Sequence, residues 1–594
     1  MAINQQQHWK SVTYPALITA ITTILISTGS LNSIDTLHRL QVTRSLWTDA
    51  PQVIEEVLPD DVANKSTAFS GVVTYSVIGR DQKRYVTWGI GQSLVMLPTD
   101  IMAQTLINAI SPEQPVSKTS SEVSAQSQSQ YSHPQPKVVG IVSYLTFPLI
   151  NVLAIIASFY LLKNLEFTTS QSIYGALSLL FCTTFLHYSQ THQENSLDFL
   201  LTTSGYLFHL LWLTTNSYKF LCLGMLSLGF NLLVRLTLAI NLISVNIFTI
   251  SSLYLQTKIQ TYSKNAGDRH RSRQKTIFKY LAIAAIVYGS FLGMDRFYHW
   301  LRFDNFTGTY TGIWTEQVKA IFPELPKSFP FSTPFMDGFL GFFFSPNRSI
   351  FLFNPLILVT LYISIKHWQE LSYKLRTFLL SLVFLLFATI ITYSTWFLWG
   401  GAGAWGNRYT TTASQLISFL AIPLALKFIF KIPLAPIHGS LFKKLEKLGL
   451  ILITIVSSII QISSIIFDPN LELLQFKSLQ NDALLFNVIQ DQPLMFTVGQ
   501  RLINVMALLT NNFDNWGLRP NLVSLEQSQK LITLAFFPWL NASRIFSTNI
   551  VVIIQICWFI LLLILLYLLF KLITNTNHNE IDINSDINSD RQSN

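Results

Sequence analysis

Long apolar runs recur along almost the whole chain, and they constrain its fold more than any other feature of the sequence. A helix needs about 20 mostly apolar residues to cross the hydrocarbon core of a bilayer. Twelve runs of roughly that length occur, at 14–31, 138–162, 171–187, 197–215, 218–234, 237–255, 277–294, 350–366, 374–397, 413–430, 447–467 and 547–571. Charged residues make up 12% of the 594 residues, about half the share in soluble domains. The sequence therefore predicts an all-α integral membrane protein with about twelve transmembrane helices.

The basic residues cluster in short loops between the apolar runs, and this clustering indicates the orientation of the chain. Loops at 256–279, 366–376 and 427–447 carry seven, three and five Lys and Arg residues. Cytoplasmic loops of membrane proteins are enriched in these residues. All three loops face the cytoplasm if both termini are cytoplasmic and the apolar segment 86–110 lies along the membrane surface as an amphipathic helix. The same clustering accounts for the formal charge of +9, so we exclude nucleic acid as a partner.

This orientation places five segments on the non-cytoplasmic side, namely 32–137, 188–196, 295–349, 398–412 and 468–546. The first of them is long enough to carry interfacial helices. The first apolar run is expected to be a retained helix, because no small-residue cleavage site and soluble domain follow it. The predicted protein is a multi-pass protein of the cell (inner) membrane.

The chain is predicted to have three parts. Residues 1–430 form a transmembrane module, residues 431–573 form a C-terminal group of helices, and residues 574–594 form a polar cytoplasmic tail. The tail and the Ser- and Gln-rich segment 117–136 contain too little apolar surface to order themselves. Both are therefore predicted to be disordered.

Asp35 is the first candidate for chemistry, because it follows the first apolar run directly. A carboxylate at the mouth of a membrane helix can act as a general base toward a hydroxyl group. Arg39 lies four residues later and shares a face with Asp35 if the segment is helical. Asp35 can equally cap the N-terminus of that helix, and the residues alone favour the capping role.

A second candidate group lies in the short outer turn 187–199, which contains His187, His192, Glu194 and Asp198. A histidine and a glutamate two residues apart can bind a divalent ion or a substrate hydroxyl. No HExxH pattern and no Cys/His pair of fixed spacing occurs. The alternative is a solvated polar turn between two membrane helices.

Isolated arginines at the outer ends of the runs form a third group, which comprises Arg235, Arg296, Arg302, Arg348 and Arg408. The planar guanidinium group suits phosphate oxygens, and a lipid-phosphate substrate needs such a cation at head-group depth. The alternative is an anchor to anionic lipid or a partner for an acidic side chain. Arg348 and Arg408 are favoured, because each lies in a Gly-, Pro- or aromatic-rich turn that leads into a run.

Residues 401–406, GAGAWG, match the letters of the G-x-G-x-x-G dinucleotide fingerprint. That fingerprint requires a strand before it and a helix after it within a βαβ unit. Here an apolar helix precedes the segment, so we reject a nucleotide site.

Three segments of the chain resemble a known family. They are RYVTWGIGQSLVMLP at 84–98, FMDGFLGFFFSPNRSIFLFNPLIL at 335–358 and YSTWFLWGGAGAWGNRYTT at 393–411. Together with an acidic residue directly after the first run, they are similar to the integral-membrane glycosyltransferases of the GT-C superfamily. The resemblance is to the bacterial branch related to protein O-mannosyltransferases and lipid A aminoarabinose transferases. It covers residues 14–430, which is about 70% of the chain.

The resemblance implies a GT-C-like fold, a polyprenyl-phosphate-linked sugar as donor and an active site on the non-cytoplasmic face. It makes Asp35 the catalytic base, which reverses the preference for the capping role. The substrate-binding residues predicted with it are Arg39, His192, Glu194, Arg348, Trp405, Arg408 and Tyr409. Many relatives carry a paired Asp-Glu where this chain has Asp35 followed by Thr36, so Glu194 becomes the candidate second carboxylate.

The sequence thus predicts a glycosyltransferase, with inversion at the transferred sugar and with Asp35 as the general base. Its partners are the donor, membrane lipids and a protein, lipid or glycan acceptor. No cofactor is predicted, although a divalent metal is compatible with the chemistry. The alternative is a secondary transporter or a lipid flippase of envelope glycan precursors. Transporters usually place ionisable groups inside their spans, whereas here the candidate groups lie at the ends of the runs.

Overall fold

The structure is a computed structural model, and one two-stranded sheet accompanies the helices in the part of the chain it describes. The described residues are 2–31, 33–53, 76–110, 135–260, 266–401, 404–430, 441–467, 471–472, 497–510, 539 and 548–592. Most of the outer segment 468–546 and nearly all of the Ser- and Gln-rich segment 117–136 lie outside these residues.

The described helices are numbered in chain order. They are α1 Ala2–Ile26, α2 Ile34–Ser45, α3 Gly91–Ile110, α4 Pro136–Asn164, α5 Thr169–Cys182, α6 Phe185–Thr191, α7 Asn195–Thr215, α8 Tyr218–Val234, α9 Ala239–Gln260, α10 Ala266–Phe303, α11 Tyr310–Ile321, α12 Phe335–Phe344, α13 Ile350–Phe353, α14 Leu356–Lys366, α15 Tyr373–Tyr393, α16 Thr411–Ser418, α17 Ala421–Phe428, α18 Leu441–Ser464, α19 Thr497–Thr510 and α20 Thr548–Gln592. Two short 3₁₀ turns lie at Leu236–Leu238 and Trp368–Glu370. Strands β1 Ser76–Ile78 and β2 Arg84–Val86 pair antiparallel.

Seven described segments are long and apolar enough to cross a membrane, and they agree with seven of the twelve predicted runs. They are Pro136–Asn164, Leu236–Gln256, Gln274–Phe303, Tyr373–Tyr393, Thr411–Phe428, Leu441–Ser464 and Thr548–Leu572. The chain is therefore a multi-pass helical membrane protein, as its composition predicts. Segment 86–110, which is predicted not to span, contributes α3, and α3 is not among the seven.

The five other predicted runs contain helix but are not among the seven described candidate spans, so a count of twelve stays a prediction. Two of them are interrupted by polar contacts. The run at 171–187 breaks where Thr183 is extended, between α5 and α6. The run at 350–366 breaks at Asn354, and the Asn354 Oδ1 accepts a hydrogen bond from the Thr184 backbone N–H at 3.1 Å. The backbone N–H that is freed at the first break is therefore satisfied by the side chain at the second break.

The helix α20 continues beyond its apolar part to Gln592, through the tail 574–594 that is predicted to be disordered. The disorder predicted for this polar tail stays a prediction.

The transmembrane module is built around α4 and α7. The helix α4 packs against α1, α3, α5 and α7, and α7 packs in turn against α8 and α9. The helix α20 packs against α1, and α18 packs against α5, so the C-terminal helices join the same bundle.

The helix α3 is fixed to α2 by a buried ion pair. Asp100, which interrupts the apolar segment 86–110, accepts hydrogen bonds from Nε and Nη2 of Arg44 at 3.0 and 2.8 Å. A carboxylate that leaves water requires such a partner. The aspartate that breaks the apolar pattern is therefore the residue that positions α3 beside α2.

Two of the predicted outer segments meet in a small apolar cluster. Val77 of β1 packs with Trp314 and Val318 of α11. The exposed edge of β1 is covered by Gln317, whose side-chain amide exchanges two hydrogen bonds with the Ile78 backbone at 2.9 and 3.0 Å. The first and third outer segments therefore lie on one side of the bundle.

Gly338→Ala is expected to destabilise the protein by about 1–3 kcal/mol, the usual range for overpacking. A Cβ atom on Gly338 in α12 would lie 1.9 Å from the backbone oxygen of Ser394, so the two segments must separate. The matched control is Gly293→Ala in helix α10, where a Cβ atom meets nothing within 4 Å. Thermal unfolding in detergent should show a lower midpoint for Gly338→Ala than for the wild-type protein. The midpoint of the control should stay unchanged. Equal midpoints for the two variants would contradict this close packing.

Candidate functional site

Asp35 lies in the first turn of α2, and its side chain does not cap that helix. The N-cap residue is Ser33, whereas the Asp35 Oδ2 accepts a hydrogen bond from Nη1 of Arg408 at 3.1 Å. Asp35 is 5% exposed. Its described partner is therefore an arginine 373 positions away in the chain.

Arg408 is presented by the turn between α15 and α16. Its guanidinium group lies 5.5 Å from the centre of the Tyr409 ring. The Tyr409 ring stacks on Tyr393 at 4.0 Å with an angle of 9° between the rings. The Arg408 backbone oxygen accepts a hydrogen bond from Nδ2 of Asn195 at 2.9 Å. The turn is thereby tied to the start of α7, where the next charged group lies.

Glu194 stands immediately before α7 and pairs with two arginines. Its Oε2 lies 2.8 Å from Nη1 of Arg39, and its Oε1 contacts Nη2 of Arg235. Burial alone would raise the pKa of Glu194. Arg235, Arg39 and Arg408 outweigh that effect and hold the pKa well below its usual range. Glu194 is therefore ionised at neutral pH.

The buried guanidinium group of Arg39 has donors that no described acceptor satisfies. Arg39 is 1% exposed, and its guanidinium group lies 5.0 Å from the centre of the Trp88 ring. Within the described residues, none of its three guanidinium nitrogens has an aligned hydrogen-bond acceptor. The short distance to Glu194 is thus an ion-pair contact without hydrogen-bond alignment. Unsatisfied donors of a buried cation are costly, so acceptor oxygens of a ligand would be favourable there.

Glycine permits the approach that brings Trp88 to this site. A Cβ atom on Gly89 would lie 2.3 Å from the backbone oxygen of Leu233. The segment after β2 therefore runs directly against the end of α8, which is followed by Arg235. The motif segment 84–98 contributes to the site through this contact.

A small cleft with a cavity volume of about 20 Å³ opens between these elements. Its lining includes Glu194, Asp198, Arg235, Tyr393, Arg408 and Tyr409. The lining carries two arginines and two carboxylates, and Arg39 and Asp35 lie just outside it. The guanidinium groups suit an anionic ligand with planar or tetrahedral oxygens, such as a phosphate group.

Asp198 anchors the wall of the cleft and does not lie free within it. Its Oδ1 accepts hydrogen bonds from Asn231, Asn241 and Thr202 at 2.8, 2.6 and 3.0 Å. Its Oδ2 accepts one from Thr412 at 2.5 Å. These bonds join α7, α8, α9 and α16, and α16 follows the turn that carries Arg408.

His192 lies beside the cluster but contributes mainly through its backbone. Its ring packs edge-on against Phe147 at 4.5 Å, and burial lowers its pKa to about 3. Its backbone oxygen accepts hydrogen bonds from Thr36 at 2.8 Å and from Gln92 at 3.1 Å. It therefore holds α2 and α3 in place as a neutral residue.

Arg348 and Trp405 support the Arg408 turn from behind. Nη1 of Arg348 donates to the backbone oxygens of Ala404 and Gly406. The Trp405 ring stacks near His187 at 6.0 Å and lies 5.4 Å from the Arg501 guanidinium group. Both are buried, and neither is among the described residues that line the cleft. Their predicted contact with substrate stays a prediction.

The two late motif segments form one structural unit. A Cβ atom on Gly341 would lie 2.2 Å from the Trp399 ring, and Arg348 binds the backbone of the 398–410 turn as described above. The residues on which the family resemblance depends are therefore in contact with each other.

Comparison of the sequence with models of known protein families gives no match. Comparison with curated proteins gives none either. The function must therefore be argued from the residues of the site.

A divalent metal does not fit the described cluster. No three His, Cys, Asp or Glu side chains come together in the described part of the chain. Asp35 and Glu194 are both paired with guanidinium groups, which would repel a cation.

The predicted substrate-binding set lacks three residues of this region, namely Arg235, Trp88 and Arg501. Arg235 and Trp88 complete the Glu194 cluster, and Arg501 is fully buried against Glu472, with Nε to Oε1 at 2.5 Å. The available signal for Arg501 was that it is the single charged residue in the stretch 493–509.

Proposed function

We propose that the chain is an integral-membrane glycosyltransferase of the GT-C type. It moves a sugar from a polyprenyl-phosphate-linked donor to a protein, lipid or glycan acceptor on the non-cytoplasmic face of the cell membrane. The observation that carries the proposal is the ion pair of Asp35 with Arg408 at 3.1 Å. Asp35 follows the first apolar run and Arg408 lies in the family-like segment 393–411, where Arg408 also lines the cleft together with Arg235.

The arginine cluster supplies the donor's phosphate site. Arg408 and Arg235 line the cleft, and Arg39 lies behind Glu194 with unsatisfied donors. A phosphate group that leaves the sugar gains negative charge, and fixed cations stabilise that charge most in a site from which water is largely excluded. A lipid-linked donor also needs no nucleotide-binding fold.

Asp35 supplies the base. An acceptor hydroxyl gives its proton to the Asp35 carboxylate while the hydroxyl oxygen attacks the anomeric carbon. The bond from that carbon to the phosphate oxygen breaks, and polyprenyl phosphate leaves with the electron pair. Attack opposite the leaving group inverts the anomeric carbon.

Arg408 links the two halves of this reaction. In the structure its guanidinium group pairs with the Asp35 carboxylate. When a donor phosphate enters, Arg408 exchanges its partner from Asp35 to the phosphate, and the carboxylate becomes free to accept a proton. The base is thus exposed after the donor is bound.

The non-cytoplasmic location is supported by charge and by contacts. The basic loops belong to the opposite end of the helices by the positive-inside rule. The described parts of the first and third outer segments pack together through Val77 and Trp314. In this orientation both termini are cytoplasmic.

The test is transfer from a labelled donor. Membranes that contain the chain and membranes that lack it are given a radiolabelled polyprenyl-phosphate sugar, and the products are separated into donor, free sugar and larger acceptors. We expect label in an acceptor only when the chain is present. If label crosses the membrane while it remains on the lipid, the protein is a transporter or flippase and the proposal is wrong.

A further inference from the structure

The outer helix α19 has the reverse of the polarity expected for a helix in a solvated loop. Its exposed apolar side chains are Ile503, Met506 and Leu509, at 61%, 58% and 73% exposure. Its buried positions include Arg501 and Asn504, at 0% and 2% exposure. A surface helix in water turns its apolar face to the protein and its polar face outward.

The buried polar face is fully engaged. Arg501 donates from Nε and Nη2 to the two carboxylate oxygens of Glu472, each at 2.5 Å. Asn504 donates to the same carboxylate at 3.0 Å. A bidentate buried pair with a third donor holds α19 in one rotational setting. These contacts therefore fix the rotation of α19 about its axis, and they keep its apolar face pointing outward.

The position of α19 is at the end of a membrane span. Nη1 of Arg501 donates to the backbone oxygens of Ser463, Ser464 and Phe467 at 3.4, 3.3 and 3.1 Å. These oxygens lie at the C-terminal end of α18, one of the seven candidate spans. The contact places α19 at the level where α18 leaves the bilayer.

The candidate span α18, on which α19 packs, also carries exposed apolar side chains that are expected to face lipid. Along α18, Ile455, Ile459 and Ile462 are 49%, 50% and 48% exposed, as expected for a span at the edge of a bundle. The two helices pack together, with Ile460 and Val498 in one cluster. The helix α19 has 14 residues and is therefore about 21 Å long, too short to cross a hydrocarbon core of about 30 Å.

We propose that α19 lies in the plane of the membrane interface, with Ile503, Met506 and Leu509 inserted among the lipid acyl chains. The occupant of this apolar face is lipid, which the face meets where the lipid-facing surface of α18 ends. Burial of an apolar helix face at the head-group boundary is the known mode of interfacial helices.

This arrangement connects the membrane surface to the site. The Arg501 guanidinium group that fixes α19 also lies 5.4 Å from the Trp405 ring. Trp405 belongs to the turn that carries Arg408. The position of α19 in the interface therefore bears on the geometry of that turn.

The test is site-directed spin labelling of the full chain in vesicles of phosphatidylethanolamine and phosphatidylglycerol. The exposed cysteines are first removed by Cys222→Ala and Cys557→Ala, while the buried Cys182 remains. Single labels are then placed by Ile503→Cys, Met506→Cys and Leu509→Cys. Collision rates with oxygen, which concentrates in lipid, and with a water-soluble nickel chelate are measured at each site.

Two further labels calibrate the measurement. Ile455→Cys marks the lipid-facing side of α18, and Glu316→Cys marks the exposed side of α11. We expect the three α19 labels to show the oxygen-over-nickel preference of Ile455→Cys. A nickel preference like that of Glu316→Cys would show a solvated helix, and low rates with both reagents would show a protein-covered one. Either result overturns the proposal, and neither depends on transfer activity.

Discussion

Glu194→Gln is expected to lower the free energy of unfolding by about 3–5 kcal/mol, the range for removing one partner of a buried ion pair. Glutamine keeps the size of the side chain but removes the charge. The Arg39 guanidinium group, at 1% exposure, and the adjacent Arg235 then lose their shared counter-charge. The measurement is unfolding of the purified protein in mixed detergent micelles.

Asp304→Asn is the matched control for this variant. Asp304 also pairs with an arginine, but its side chain is 66% exposed and lies 4.0 Å from Arg80. Removal of an exposed pair costs less than about 1 kcal/mol. Asparagine also tolerates the positive φ of 53° at this position. A Glu194→Gln loss no larger than the control loss would show that the cluster around Glu194 is not buried as described.

Asp35→Asn is expected to reduce the rate of sugar transfer by about 10²- to 10⁴-fold, the usual contribution of a general base. Asparagine has nearly the same shape as aspartate and still accepts the Arg408 hydrogen bond through its side-chain oxygen. It cannot take a proton from the acceptor. The loss should therefore appear in kcat, with little change in the KM for the donor.

The division between kcat and KM separates two roles for Asp35. If Asp35 only positions Arg408 for the donor phosphate, Asp35→Asn should raise KM and leave kcat nearly intact. Asp304→Asn provides the same chemical change on an exposed outer turn and should leave both values unchanged. Undiminished transfer by Asp35→Asn would remove the residue from catalysis.

The helical membrane character of the chain could be predicted because it depends on composition over long windows. Seven of the predicted runs are long, apolar helices in the structure. The interruptions could not be predicted in the same way. At Thr183 the run breaks, and the Thr183 hydroxyl donates a hydrogen bond to the Leu179 backbone oxygen at 2.6 Å. The next backbone N–H, that of Thr184, donates to the Asn354 side chain. Hydropathy does not report such pairwise contacts.

The contact between Asp35 and Arg408 could not be derived from periodicity, because the tertiary fold brings together two residues that lie 373 positions apart. Within one motif, the residues that face the cleft could not be distinguished from those that pack behind it. Arg408 and Tyr409 face the cleft, while Trp405 packs behind the turn against Phe353 at 5.0 Å. The turn is not a regular helix or strand, so the side-chain directions follow from its backbone conformation and not from spacing.

The buried pair of Arg501 and Glu472 could not be predicted because its two members come from an outer segment of no recognisable pattern. Their separation is 29 residues, and the partner is set by the tertiary fold. The sequence signal was an arginine among apolar residues, which also suits a surface amphipathic helix. Burial of that arginine is decided by the packing of α19 on α18.

The most direct test of the central claim, that Asp35 and Arg408 act as one site in sugar transfer, is a double-mutant cycle on the transfer rate. The rates of Asp35→Asn, Arg408→Gln and the double variant are compared with that of the wild-type protein. Residues that act as a unit show strongly non-additive losses. We predict that the double variant is about as slow as the slower single variant. Losses that multiply, or a single variant with the full wild-type rate, would contradict the account.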